Sequence, residues 1–192
     1  MDLTSPDITR VRARLGAIIR EQCLAFGDFT LASGQHSNYF IDGKQATLDG
    51  EGLYCLAHLI LHEMRDDRID AVGGMTLGAD PIVGGTIAVA GAMGIPLRGF
   101  IVRKERKERG MGDQVAGPLR DGDRVVMLED TVTTGGMTLK AIEAVERERD
   151  VEIVKIITMV DRLQGARGNI ESEGFELVSL FTVEELGVKL EG

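Results

Sequence analysis

The sequence predicts an α/β fold, a central parallel sheet flanked by helices, and three observations carry that prediction. Short apolar runs alternate with stretches of helical periodicity along most of the chain, which is the pattern of βαβ units. The apolar run 125–128, VVML, leads straight into Glu129-Asp130 and then into a Thr/Gly loop, as ligand-bearing strand ends do in open α/β sheets. The length, 192 residues, suits one domain large enough to bury a real core and leaves little room for a second.

The elements follow in order. Pro6-Asp7 is a helix start signal, and Val11, Leu15, Ile18, Ile19 and Cys23 then recur at helical spacing, predicting a helix over 8–26. Residues 29–42 mix β-formers with a Ser-Gly break and read as a hairpin or two short strands. Helical periodicity returns over 51–64. A strand at 70–74, a helix at 79–93, strands at 97–102 and 124–128, a helix at 136–149 and strands at 152–160 and 175–181 complete the series. Between two of these strands lies 103–114, RKERKERGMGDQ, which is too charged for a core. With Gly110 and Gly112 and no apolar run, it reads as a mobile loop of the kind that serves as a functional lid.

Composition removes several function classes. A formal charge of −9 and a sequence pI near 4.9 oppose a surface that coats nucleic acid or anionic lipid. No apolar run approaches the ~18 residues of a membrane helix, and MDLTSPDITR lacks the basic-then-apolar layout of a leader, so a cytoplasmic protein is expected. Cys23 and Cys55, far apart in apolar stretches, read as buried free thiols rather than a disulfide or a zinc site. His58 and His62 share the spacing of a zinc helix, but no glutamate follows the first histidine, so HLILHE reads as an ordinary helix. A Walker P-loop string is absent, and Gly110-Met111-Gly112-Asp113-Gln114-Val115 lacks the last glycine of a dinucleotide fingerprint.

What remains is VVMLEDTVTTGGMT. Two adjacent acids at a strand end can bind vicinal ribose hydroxyls, hold Mg²⁺, or oppose positive charge developing on a sugar ring. The following Thr131 to Gly136 opens a helix whose free N–H groups and positive dipole end suit a phosphate. A plain strand-to-helix turn, with threonine as cap and glycine for backbone freedom, accounts for the TTGG part alone about equally well.

In this order, four hydrophobics, two acids and a Thr/Gly turn, the stretch resembles the phosphoribosyl-pyrophosphate (PRPP) binding motif of type I phosphoribosyltransferases. Further segments resemble the orotate phosphoribosyltransferase family: 26–48 (FGDFTLASGQHSNYFIDGKQATL), 73–82 (GGMTLGADPI), 103–112 (RKERKERGMG) and 160–162 (VDR). The resemblance implies one phosphoribosyltransferase domain with a small N-terminal hood, about 1–45, on a core of about 46–192. It implies transfer of the phosphoribosyl group from PRPP to orotate, giving orotidine 5′-monophosphate and pyrophosphate, with Mg²⁺ carried mainly by PRPP, in a homodimer. It also implies roles: Glu129 and Asp130 on the ribose hydroxyls; Thr131, Val132, Thr133, Thr134, Gly135, Gly136 and Met137 around the 5′-phosphate; Thr133 and Arg162 on orotate. Arg103, Lys104, Lys107 and Arg109 would close over the pyrophosphate, partly in the neighbouring subunit. An arginine suits orotate because its fork can grip a carboxylate through two bonds.

The chain departs from that family pattern at three positions. Arg109 stands where many members carry a lid histidine, which removes a group able to titrate near neutrality and leads us to expect reduced turnover. Lysines common in one branch are replaced by Ala32 and Gly78. Lys44, just beyond FID, reads as a surface lysine, with base-side charge as the alternative. Two other functions stay open at this point: a phosphoribosyltransferase for another base, and a non-catalytic PRPP-sensing regulator, which would need a DNA-binding segment or basic face.

Overall fold

The computed structural model describes residues 6–30, 36–105 and 113–190. Helix α1 spans Ile8–Ile18 and starts where the Asp7 carboxylate accepts from the N–H groups of Thr9 (2.9 Å) and Arg10 (3.3 Å). It does not run on to residue 26: a π-helical turn, Ile19–Cys23, ends it, and β1 (Leu24–Thr30) pairs antiparallel with β2 (His36–Ile41). Leu24 and Phe26 satisfy either periodicity in sequence. Pairing with Ile41 and Tyr39 decides for the strand. The predicted hairpin is present as this two-stranded sheet.

A four-residue helix α2 (Lys44–Thr47), too short to leave a periodicity, leads into α3 (Gly50–Glu63), capped by the Asp49 carboxylate on the N–H groups of Glu51 and Gly52. Then follow β3 (Ala71–Met75), α4 (Ala79–Ala92), β4 (Arg98–Val102), the two-residue β5 (Val115–Ala116), β6 (Arg124–Val132), α5 (Gly136–Glu148), β7 (Glu152–Asp161), α6 (Ala166–Ser172) and β8 (Leu177–Thr182). The short α2, β5 and α6 have no counterpart in the sequence reading. Strand β6 runs four residues past its predicted end at 128, because β7 is long enough to pair with Glu129, Thr131 and Val132.

The main sheet has the order β5-β4-β3-β6-β7-β8, parallel except for the β4–β5 pair. Because β3, β4, β6 and β7 point the same way, their carboxyl ends share one edge, and the chain leaves each of them there. The strands bury both faces. On β6, Val126 and Leu128 enter a core with α1, α3 and α4, whereas Val125 and Met127 face a second core with α5 and α6. Gly74, at the end of β3, lies under the β6 backbone: a Cβ there would sit 2.2 Å from the Leu128 carbonyl oxygen. Both cysteines are buried free thiols, as expected, and His58 is 3% exposed with its ring edge-on to Tyr54 at 4.5 Å. Among the described residues, no helix is long and apolar enough to cross a membrane.

Candidate active site

Helices α1 and α3 are each capped by an aspartate. Two helices that open at the carboxyl edge of the sheet differ: α4 starts just after Gly78 and α5 just after Gly135, and neither receives a side-chain cap bond. Their first-turn N–H groups therefore face solvent or a ligand, at the positive end of each helix dipole. Gly135 takes φ +80°, a conformation that side chains resist, and a Cβ there would lie 2.9 Å from Ile170. Asn169 on α6 fixes the same turn by donating to the Thr134 carbonyl at 2.9 Å.

Between these helix starts lies a cleft of about 360 Å³. Lys44 enters it from α2, Met75 to Gly78 from the β3–α4 connection, Lys104 from the end of β4, and Glu129 to Thr138 from β6 and α5. The fold thus brings together Lys104, Glu129, Asp130, Thr131, Val132, Thr133, Thr134, Gly135, Gly136 and Met137, ten of the residues singled out in sequence. Lys107 and Arg109 lie outside the described residues. Arg103 does not line the cleft; its guanidinium donates to the Asp113 carbonyl at 3.1 Å, which holds the base of the 103–114 loop together.

Arg162, one residue past β7, also stands apart from the cleft lining. Its Nε donates to the Tyr39 hydroxyl at 3.0 Å and its guanidinium lies 5.0 Å from the centre of that ring. The guanidinium is thereby held against the hairpin, while Nη2 is buried with no hydrogen-bond partner among the described residues. An unpaired buried donor on a fixed cation is costly unless a ligand oxygen completes it.

The acid pair is the electrostatic centre. Burial first, and then the charge of Asp130, push the Glu129 carboxyl up to about 8, against the Thr138 hydroxyl that donates to its Oε2 at 3.3 Å. Burial also raises Asp130, opposed by Lys44 and by the Thr131 N–H that donates to Oδ1 at 2.8 Å. Two carboxylates with too few counter-charges are poised for hydroxyl donors or a cation. Gly78 leaves them that space, since a Cβ there would approach Asp130 Oδ1 to 2.9 Å and Glu129 Oε1 to 3.2 Å.

Lys44, read in sequence as a surface lysine with base-side charge as the alternative, combines both positions. It is half-exposed, but it lines the cleft and its charge reaches Asp130. No spacing rule could find its place at the cleft, because α2 is set there by tertiary packing against α3 and the turn Ile19–Cys23. The Lys44 ammonium also pairs with Asp42 at 3.7 Å.

Comparisons with known proteins agree with this geometry. The family model described as "Phosphoribosyl transferase domain" matches residues 56–187. An orotate phosphoribosyltransferase from Aquifex aeolicus (strain VF5) is 43% identical over 178 residues, 91% of this chain and 97% of that protein. The solved orotate phosphoribosyltransferase of Mycobacterium tuberculosis H37Rv, in complex with Fe(III) dicitrate, superimposes with a TM-score of 0.82 at 36% identity, covering 93% of this chain and 99% of that one. The same mycobacterial protein in complex with PRPP gives 0.78 at 33% identity, with the same coverage.

Proposed function

From the premise that this chain belongs to the orotate phosphoribosyltransferases of the phosphoribosyl transferase family, we propose that it transfers the 5-phosphoribosyl group of PRPP to orotate, for pyrimidine nucleotide synthesis. The observation that carries the reading is the half-buried Glu129–Asp130 pair beside the uncapped start of α5, with Lys104 in the same cleft. The C1–O bond to pyrophosphate breaks, the ribose ring passes through an oxocarbenium-like state, and N1 of orotate forms the new bond as its N–H proton passes to the departing pyrophosphate. The electron pair of the broken bond leaves on pyrophosphate.

Each group has a task in that step. Backbone donors and hydroxyls from Thr131 to Met137, at the dipole end of α5, hold the 5′-phosphate and so locate the ribose. Glu129 and Asp130 accept from the ribose hydroxyls, and their negative charge faces the ring as it becomes positive. Lys104 neutralises the departing pyrophosphate, joined by Arg103, Lys107 and Arg109 when the charged loop covers the cleft; exclusion of water protects the cationic sugar. Arg162 and Thr133 hold orotate, the free Nη2 supplying one prong to its carboxylate.

The donor set fits Mg²⁺ shared with the substrate. Mg²⁺ takes one or two carboxylates, waters and substrate phosphates, and the under-compensated Asp130 and Glu129 are the carboxylates beside the ribose position. Bound with PRPP, the ion would lower the negative charge of the leaving group. We further propose a hood, about residues 1–45, over a core of about 46–192, a homodimer that shares lid residues, and a cytoplasmic location. The separate β1–β2 sheet and its Tyr39–Arg162 contact support the hood.

The test is the loss of orotate ultraviolet absorbance with PRPP and Mg²⁺, for wild type beside Asp130→Asn. We expect a PRPP-dependent decrease in wild type and a loss of at least about a hundredfold in the variant. Consumption of adenine or hypoxanthine instead of orotate would assign another base. PRPP binding without any transfer would assign a sensor.

A further inference from the structure

The network at the root of the charged loop has no part in the chemistry above. Glu148, the last residue of α5, accepts at its two carboxylate oxygens from the backbone N–H groups of Gln114 (2.8 Å) and Val115 (3.0 Å). Arg147 donates to Gln114 Oε1 at 2.7 Å. Gln114 Nε2 in turn donates to the carbonyls of Arg103 (2.8 Å) and Lys104 (3.4 Å), and the Arg103 N–H donates back to the Gln114 carbonyl at 2.9 Å. Gln114 is therefore held at its backbone and both ends of its amide. Lys104 is the residue that this chain of bonds delivers to the cleft.

The placement of Glu148 adds to the argument. A carboxylate in the last helical turn faces the negative end of the dipole, which disfavours it. Two charge-assisted bonds to N–H groups of another segment offset that cost and give the residue a use outside its own helix. The short β4–β5 ladder, only two residue pairs, would hold the loop root weakly without it.

We propose that Gln114 and Glu148 are positioning residues that seat Lys104 in the cleft by tying the end of β4 to α5. The inference rests on the phosphoribosyl-transfer reading, in which Lys104 meets the pyrophosphate. Its content is a shared reference: α5 presents the phosphate-binding turn at its first residue, Gly136, and the clamp at its last, Glu148, roughly 20 Å away along one rigid rod. The 5′-phosphate and the leaving pyrophosphate are then registered against the same helix. The reacting C1 between them is held by both.

Steady-state kinetics with PRPP and orotate varied in turn, together with thermal melting, test this in wild type, Gln114→Glu, Glu148→Gln, Lys104→Ala and the double variant Gln114→Glu/Lys104→Ala. Gln114→Glu keeps the side-chain shape and its acceptor for Arg147 but turns the donor facing two carbonyls into an acceptor. It should lower kcat/KM for PRPP about tenfold while the orotate KM stays within about twofold. Glu148→Gln should move the same quantity in the same direction by less, and carries the test if Gln114→Glu melts below the assay temperature. Because the clamp acts through Lys104, the double variant should lose no more than Lys104→Ala alone. Losses that multiply, or that fall equally on orotate and PRPP, would overturn the proposal while leaving the reaction in place. A wild type that consumes no orotate would overturn the reaction and this role together.

Discussion

Glu129→Gln should make the substrate-free protein more stable and the enzyme inactive, and the stability gain should depend on pH. In the folded chain the Glu129 carboxyl is pushed from its ordinary 4.5 up to about 8, chiefly by burial and then by Asp130. Between those values the folded state binds more protons at this group than the unfolded state does. Stability is therefore intact below about 4.5 and falls as pH rises through 8. At 1.36 kcal/mol per pKa unit, the full cost of ionisation is on the order of 5 kcal/mol. The glutamine removes that cost but must place its own amide beside Asp130, so we expect a net gain of roughly 2 kcal/mol at pH 9. For a chain of this size that raises the melting temperature by about 4–8 °C. The assay is thermal melting of both proteins without substrate at several values from pH 5 to 9. The reasoning fails if the variant is less stable than wild type at pH 9, or if the difference between them does not shrink toward pH 5. Addition of PRPP with Mg²⁺ should reverse the order, because ligand that satisfies the carboxylate stabilises only the wild type fully.

Arg162→Lys keeps the charge but loses the planar fork and the contact with the Tyr39 ring. The orotate KM should rise at least about tenfold with little change in the PRPP KM, and equal changes in both would remove Arg162 from the base site. Gly74→Ala forces a Cβ to within 2.2 Å of the Leu128 carbonyl oxygen and 2.6 Å of the Ala79 Cβ, so two elements must separate. A loss of about 3 kcal/mol and a fall of roughly 6–12 °C in melting temperature are expected; a fall under about 2 °C would contradict the close approach.

The composition and the local periods told much of this story in advance. Val125 to Leu128 had to be a buried strand, and Thr131 to Gly136 a strand-to-helix turn, because those properties belong to a few consecutive residues. The same stretch carried the acids and the phosphate loop in one piece, which is why the site's centre was legible. Where local signals tied, the sequence erred. Leu24 and Phe26 fit the period of a helix and of a strand, and only pairing with Ile41 and Tyr39 chose between them. Strand β6 passed its expected end because its partner β7 continued.

The sequence by itself determined the order of elements, the acid pair at a strand end and the glycine turn that opens α5, since each is written within a few adjacent residues. Only the tertiary structure decided that Lys44 reaches Asp130, that Arg162 rests on Tyr39 from 123 residues away, and that Glu148 holds Gln114 across 34. The raised pKa values of Glu129 and Asp130 belong to that second class, because desolvation depends on everything packed around a carboxyl. Periodicity constrains neighbours along the chain, whereas a catalytic cleft is a meeting of chain ends of strands whose distance is set by sheet register and helix packing.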